Sequence, residues 1–269
     1  MSKDKNPYNY IEDYLLTVRS KGCFTVTQNE LLEKFNISPK ALNQNLFRLK
    51  SKNQIAQIRK EFYAIIPPEY SHQGMLPVYL FVDDLMKSLK KDYYLGLYSA
   101  AAIHGAGHQQ PMESQIIIEK PALREIKNDK LSIRFFTRNK WNTVDIIEKK
   151  TDAGYIKVSS PELTALDLVF YSSKIGGINR LLPILEDLAE TIKPSKLYRT
   201  AKQYNQITIV QRLGFLLNTV IGSGELSASL KKLLNESNYK SIPLSIAKKS
   251  KEGEENSDWK VIINTDLQI

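Results

Sequence analysis

Lys40, Asn43, Gln44, Arg48 and Ser51 follow one another at intervals of three, one, four and three residues. At 100° per residue they share one face of a helix, while Leu42, Leu46 and Leu49 form the opposite stripe and must pack inward. Primary amides can pair bidentately with adenine in a major groove, and a guanidinium can pair with guanine. Phe47 lies on the same polar face, out of place on a wet surface. Two readings of it are open: contact with thymine methyls, or packing under the segment that follows. Ser38-Pro39 opens the helix, Ser as N-cap and Pro at the first helical position, where its missing N–H costs nothing. The helix is predicted over 39–52. Two β-rich runs, 55–58 and 62–66, then flank Arg59-Lys60-Glu61 and read as a hairpin with a basic tip.

The elements before this helix must hold it. Tyr10, Ile11, Tyr14, Leu15 and Val18 have helical spacing, stopped by Gly22, and Phe24-Thr25-Val26 is long enough only for a small strand. Thr27 followed three residues later by Glu30 is a capping box, opening a short helix with Leu31, Leu32 and Phe35 on its apolar side. Asn36-Ile37 is a tight turn. Helix, strand, helix, turn, helix and basic hairpin together describe a winged helix-turn-helix, which sets its last helix in the major groove and its wing against phosphates. The candidate contacts to double-stranded DNA are Ser38, Lys40, Asn43, Gln44, Arg48, Arg59 and Lys60. Modules of this shape also serve protein contacts.

The charge distribution agrees. The chain carries 38 Lys+Arg against 29 Asp+Glu over 269 residues, a net +9. Residues 1–68 hold 11 basic and 6 acidic groups, 69–119 are acidic, and 120–150 hold 9 basic and 4 acidic groups. Residues 193–212 contain five basic groups and no acid. Such clusters are also the ordinary solvated faces of helices and loops. Three of them on one chain nevertheless favour an anionic partner.

Length suggests two domains. The breaker-rich stretch 67–77 divides a domain over 1–68 from a second over 77–269. In the latter, 78–90 and 93–103 read as helices, while 115–119, 131–137, 144–149 and 154–158 read as strands. Ser160-Pro161-Glu162 starts another helix. Helices then dominate over 178–192, 195–204, 207–221 and 225–235. A strand over 242–246, a charged loop over 248–258 and a last strand over 259–264 follow. The expected class is α+β: an N-terminal winged helix-turn-helix followed by a mixed α+β domain.

Catalytic motifs are not found. His104-Gly105-Ala106-Gly107-His108 spaces two histidines at i, i+4, but two glycines lie between them, the glutamate of a zinc-protease helix is missing and no third ligand is near. A turn with hydrogen-bonding His side chains is the expectation. Gln110 stands where a dinucleotide fingerprint needs its third glycine, and no phosphate loop or serine elbow occurs. No metal, cofactor or enzymatic activity is expected. Cys23, the single cysteine, can form no internal disulfide. The N-terminus has no apolar signal core, and no stretch reaches about 18 apolar residues. A cytoplasmic protein with no membrane partner is expected.

The run 93–111, including Tyr94, Gly96, Tyr98, Ala100-Ala101-Ala102 and the His104–His108 string, resembles the central signature of AbiEi-type antitoxins. These are transcriptional autoregulators of type IV toxin–antitoxin, abortive-infection systems. Val158-Ser159-Ser160-Pro161-Glu162-Leu163 through Asp167-Leu168, Gln211-Arg212-Leu213-Gly214-Phe215-Leu216-Leu217, and Trp259-Lys260-Val261-Ile262-Ile263-Asn264 resemble further parts of it. The resemblance implies an N-terminal domain that binds inverted repeats in its own promoter as a repressor. It implies a C-terminal domain that counteracts a nucleotidyltransferase-like toxin, directly or functionally. Lys120, Arg124, Arg134, Arg138 and Lys140, with Lys196, Arg199, Lys202 and Arg212, could then line a phosphate-contacting or toxin-opposing face. A ligand-responsive transcription regulator without a toxin partner is the alternative reading.

Overall fold

The computed structural model describes residues 7–107, 111–248 and 252–267. It is a mixed α+β fold that divides into two compact units. One comprises the chain through Tyr93 with Pro121–Phe135 and Glu148–Lys157; the other comprises Tyr94–Lys120, Phe136–Ile147 and the chain from Val158 onward.

In the first unit, helix α1 (Pro7–Ser20) ends where Gly22 turns left-handed at φ +76°. A short strand β1 (Thr25–Thr27) leads into α2 (Gln28–Phe35). The capping box is complete: Glu30 N donates to Thr27 Oγ1 at 3.2 Å, and the Glu30 carboxylate accepts from Thr27 N. Asn36 closes α2 in the left-handed conformation, its N–H bonded to Leu32 O, and Ser38 caps α3 (Pro39–Ser51) by accepting from Ala41 N. Strands β2 (Ile55–Arg59) and β3 (Phe62–Ile65) form the hairpin, and β1 joins β3 on its other side, all antiparallel. Ile11, Leu15, Leu31, Leu42, Leu46 and Leu49 interlock with Val26, Ile55, Tyr63 and Ile65 in one core. The chain continues through two short 3-10 turns into α4 (Val82–Ser88).

The central stretch supplies β4 (Tyr93–Leu95), β5 (Ser114–Glu119), β6 (Ile126–Asn128), β7 (Leu131–Arg138), β8 (Ile146–Thr151) and β9 (Gly154–Ser159). They form a six-stranded sheet of order β6-β7-β5-β4-β9-β8. Two sequence-based expectations are corrected here. Residues 93–103 are not one helix but β4, a bend at Gly96, and α5 (Leu97–Ile103). Tyr93, Tyr94 and Leu95 are all buried, and Leu95 pairs in parallel with Val158. A side chain at Gly96 would lie 2.7 Å from Ile117 Cγ1, so the bend needs glycine. Likewise 78–90 divides into a 3-10 turn (Val78–Leu80) and α4.

In the second unit, α6 (Pro161–Phe170) is the central element, packed by α5, α7 (Ile178–Ala189), α8 (Pro194–Tyr204) and α9 (Ile207–Phe215). Glu162 through Val169 are all buried, the pattern of a helix surrounded on every side. After α9 the chain makes a π-helical turn (Leu216–Val220) and enters α10 (Gly224–Asn235). A small sheet closes the unit: β12 (Val261–Ile263) between β10 (Ile242–Pro243) and β11 (Glu254–Asn256). Strand β11 falls inside the segment expected to be a charged loop; cross-strand bonding to Val261–Ile263 orders it. Among the described residues no helix is long and apolar enough to cross a membrane.

Candidate functional site

The face of α3 opposite Leu42, Leu46 and Leu49 exposes Lys40, Asn43, Gln44, Phe47, Arg48 and Ser51. Lys40 and Gln44 have no hydrogen-bond or ion-pair partner among the described residues. Asn43 Oδ1 accepts from Gln28 Nε2 at 3.3 Å, and Ser51 Oγ donates to Phe47 O at 3.0 Å. Ser38 is occupied as the helix cap, its Oγ 3.2 Å from Ala41 N. Asn45, between these positions, turns inward and donates to Ala41 O at 2.9 Å. Phe47 is 68% exposed, so it does not pack under the hairpin.

The hairpin is tied to α3 by Lys50 Nζ, which donates to Gln57 Oε1 at 3.4 Å. A register shift between Gln57 and Arg59 leaves Ile58 buried while Gln57 and Arg59 stay exposed. At the tip Glu61 adopts φ +63° and its carbonyl accepts from Gln28 N at 2.9 Å, fixing the tip to the start of α2. Lys60 lies 3.6 Å from the Glu61 carboxylate, so the tip is less basic than Arg59-Lys60 alone suggests. From α1, Tyr14 donates to Glu30 at 2.5 Å, and Lys34 stands over its ring. Burial, with the Glu30 hydrogen bond second, pushes the Tyr14 hydroxyl up to about 12.

The basic residues of the later sequence are divided between the two units. Arg124 and Arg134 belong to the first unit; Lys120, Arg138, Lys140, Lys196, Arg199, Lys202 and Arg212 belong to the second. Lys120, Lys140 and Lys196 are exposed. Lys202 lies 3.8 Å from Glu236, and Arg199 3.8 Å from Asp145. Arg212, expected on a basic surface, is instead 6% exposed, its Nε donating to Pro243 O at 3.0 Å. Burial lowers this guanidinium to about 10, so it is a structural group rather than a surface cation.

Arg138 is likewise drawn inward. Its guanidinium donates to Asp167 Oδ1 at 2.8 Å and stacks over the Tyr204 ring at 3.7 Å. The hydroxyls of Tyr94 and Tyr204 donate to the same carboxylate at 2.8 and 2.9 Å. Burial pushes the Asp167 carboxyl up from its ordinary range, opposed by Arg138 and both hydroxyls. On Arg138, burial works to remove the proton, but the Asp167 charge together with Tyr204 and Tyr94 outweighs it and the guanidinium stays charged. Beside this network opens a cleft of about 150 Å³, lined by Arg138, Lys140, Trp141, Asn142, Gln203 and Tyr204 among others. Asp145 on the cleft wall accepts from Thr200 Oγ1 at 2.8 Å, whereas Lys140 has no hydrogen-bond or ion-pair partner among the described residues. Tyr94 and Asp167 lie in the strings that carry the family resemblance but have no role assigned there, and Tyr204 is not picked out by the sequence; the usable signal is one carboxylate inside the apolar run Ala165–Val169.

His104 donates from Nε2 to Ser159 O at 2.7 Å, and Gly107 N donates to Asp187 at 2.7 Å. His108, the second histidine of that string, lies outside the described residues. Among the described residues no group of three or more His, Cys, Asp or Glu side chains is placed to hold a metal ion. The strings Gln211–Phe215 and Trp259–Asn264 meet. Gln211 Nε2 donates to the carbonyls of Lys240 and Trp259, each at 3.0 Å, and the Trp259 ring lies against the bare Cα of Gly214.

Residues 94–219 match the sequence profile of the AbiEi antitoxin C-terminal domain. The whole fold is similar to the crystal structure of the Rv2827c protein from Mycobacterium tuberculosis. The TM-score is 0.67 at 18% identity, covering 94% of this chain and 91% of that one. An antigenic nucleotidyltransferase-like protein from Paracoccidioides brasiliensis is more distant, with a TM-score of 0.39 at 12% identity over 57% of this chain and 90% of that one. No curated protein sequence matches the chain.

Proposed function

From the match of residues 94–219 to the AbiEi antitoxin C-terminal domain, we propose that this chain is the antitoxin of a toxin–antitoxin pair and represses its own promoter. The toxin it counteracts is a nucleotidyltransferase-like protein, by direct binding or through a shared target. The helix–strand–helix–helix–hairpin order of the first unit supports reading it as a winged helix-turn-helix. The observation that carries the DNA reading is the outward face of α3. Lys40 and Gln44 stand there exposed and, among the described residues, unpartnered, on a helix whose other side is locked into the core by Leu42, Leu46 and Leu49. Arg59 and Lys60 on the hairpin supply charge for phosphates; Ser38 contributes as the cap that fixes where the reading face begins. Polar and charged groups left without intramolecular partners are available to base edges and phosphates without first breaking internal bonds.

Two measurements test the two halves of this reading. A gel shift with the fragment upstream of the gene, at two salt concentrations, tests promoter binding; equal affinity for random DNA at both would sink it. Co-expression of the full chain with the product of the neighbouring gene tests antitoxin action. Restored growth is expected, and continued toxicity despite ample folded protein would overturn it.

A second reading, a ligand-responsive regulator, is favoured by one observation: the cleft beside Arg138, with Lys140, Asn142 and Gln203 on its walls. It predicts promoter affinity that changes with a small anionic metabolite and no growth rescue.

A further inference from the structure

Among the described residues, Phe47 is the one large apolar side chain on the outer face of α3, 68% exposed. It belongs to no hydrophobic cluster of the first unit, whose partly buried members on α2 and the following turn are Leu32, Phe35 and Ile37. Apolar surface left in water is unfavourable by about 25 cal/mol per Å², so the fold of the chain does not account for a phenyl ring there. Its neighbours on the helix surface are Asn43 four residues before, Gln44 three before and Ser51 four after. Asn43 and Gln44 carry the amides suited to adenine. In the major groove each adenine is paired with a thymine, whose 5-methyl is the apolar feature that a phenyl ring can contact.

We propose that Phe47 is a specificity-determining residue that packs on a thymine 5-methyl group in the operator. The proposal rests on the reading of α3 as the base-contacting helix and adds the base it selects. An amide beside an aromatic ring reads an A·T-containing step: the amide takes the adenine edge and the ring takes the methyl on an adjacent or paired thymine. Cytosine and uracil lack that methyl, so the ring discriminates by apolar packing alone.

The test uses the full chain and two copies of the upstream promoter fragment, identical in sequence, one synthesised with thymidine and the other with deoxyuridine throughout. The second keeps every base pair and phosphate and omits only the methyls. Random DNA prepared both ways gives the effect of the missing methyls on non-specific binding. Wild-type protein should bind the thymidine promoter about fourfold more tightly per methyl covered, the value of one buried methyl converted to a ratio. Phe47→Ala should bind both promoters alike, at the affinity wild type shows for the deoxyuridine copy, and Phe47→Leu should keep part of the preference. Promoter-specific binding by wild type that is indifferent to the methyls would overturn the Phe47 proposal and leave the DNA reading standing. So would a preference that survives in Phe47→Ala. Absence of any promoter preference in wild type would overturn both, and would turn Phe47 into a candidate protein-contact residue.

Discussion

The hydroxyl of Tyr94 donates to Asp167 Oδ2 at 2.8 Å, joining a strand residue to the middle of a helix 73 positions later. The carboxylate is fully buried, and Arg138 and Tyr204 take its other oxygen. Removing one member of a buried ion pair leaves the other charged and unpaired, which costs about 3–5 kcal/mol. Asp167→Ala should therefore lower unfolding free energy by that order in a urea titration. Asp167→Leu combined with Arg138→Met should recover most of it. A decrease below about 1 kcal/mol in the single variant would mean that Arg138 finds solvent instead.

Gly214 faces the ring of Trp259 so closely that an added Cβ would stand 2.0 Å from Trp259 Cζ3. Overpacking of this kind costs about 1–3 kcal/mol. Gly214→Ala should lower the midpoint of thermal unfolding and change the environment of Trp259, read by its fluorescence. Adding Trp259→Leu should relieve the clash, so a double variant no more stable than the single one would count against the packing described.

On the proposed DNA-binding role, Gln44 and Arg59 should separate by the kind of DNA group each one would meet. Gln44→Ala removes a base-edge hydrogen bond, so affinity for the promoter should fall by about 1–3 kcal/mol with little change on random DNA. Arg59→Ala or Lys60→Ala should weaken both DNAs alike and reduce the dependence of log affinity on log salt by about 0.9 for each phosphate no longer neutralised. Equal weakening on both DNAs for Gln44→Ala would place the reading face elsewhere.

Much of the fold is legible in the sequence because it is local. Thr27 with Glu30, Ser38 with Pro39, and the leucine stripe of α3 each declare an element within a few residues, and each is realised. Tyr93-Tyr94-Leu95 misleads because a short apolar run suits strand and helix alike, and the deciding partner, Val158, is about sixty residues away. The short, polar strand Ile126–Asn128 leaves no periodic trace. Exposure of the α3 positions follows from helical geometry, whereas the fate of Arg138 and Arg212 does not. Their burial depends on Asp167 and on Pro243, which only the folded chain brings near.

Alkaline titration should show delayed ionisation of two tyrosines. Burial pushes Tyr14 and Tyr98 up to about 12 from the ordinary 10. A raised phenol favours the neutral form in the folded state. Its stabilisation is complete below pH 10 and disappears as pH rises through about 12. Tyrosinate absorbance should therefore lag behind that of free tyrosine, then rise together with the decline of the circular dichroism signal. Appearance of all tyrosinate near pH 10 with the fold intact would contradict the burial of both hydroxyls.

Gln211 and Gly214 have a consequence for the order of events on the ribosome. Until Lys240 and Trp259 have been synthesised, the amide of Gln211 lacks its carbonyl acceptors and the groove at Gly214 has no ring to fill it. The helices of the second unit thus emerge with a polar group unmatched and an apolar groove open. Helix α3 and its core are made from residues up to Ile65 and wait for nothing that distant. A nascent chain would complete the core around α3 first, and a ribosome stalled before Trp259 would leave behind a second unit with an unmatched amide and an open groove, a substrate for proteolysis.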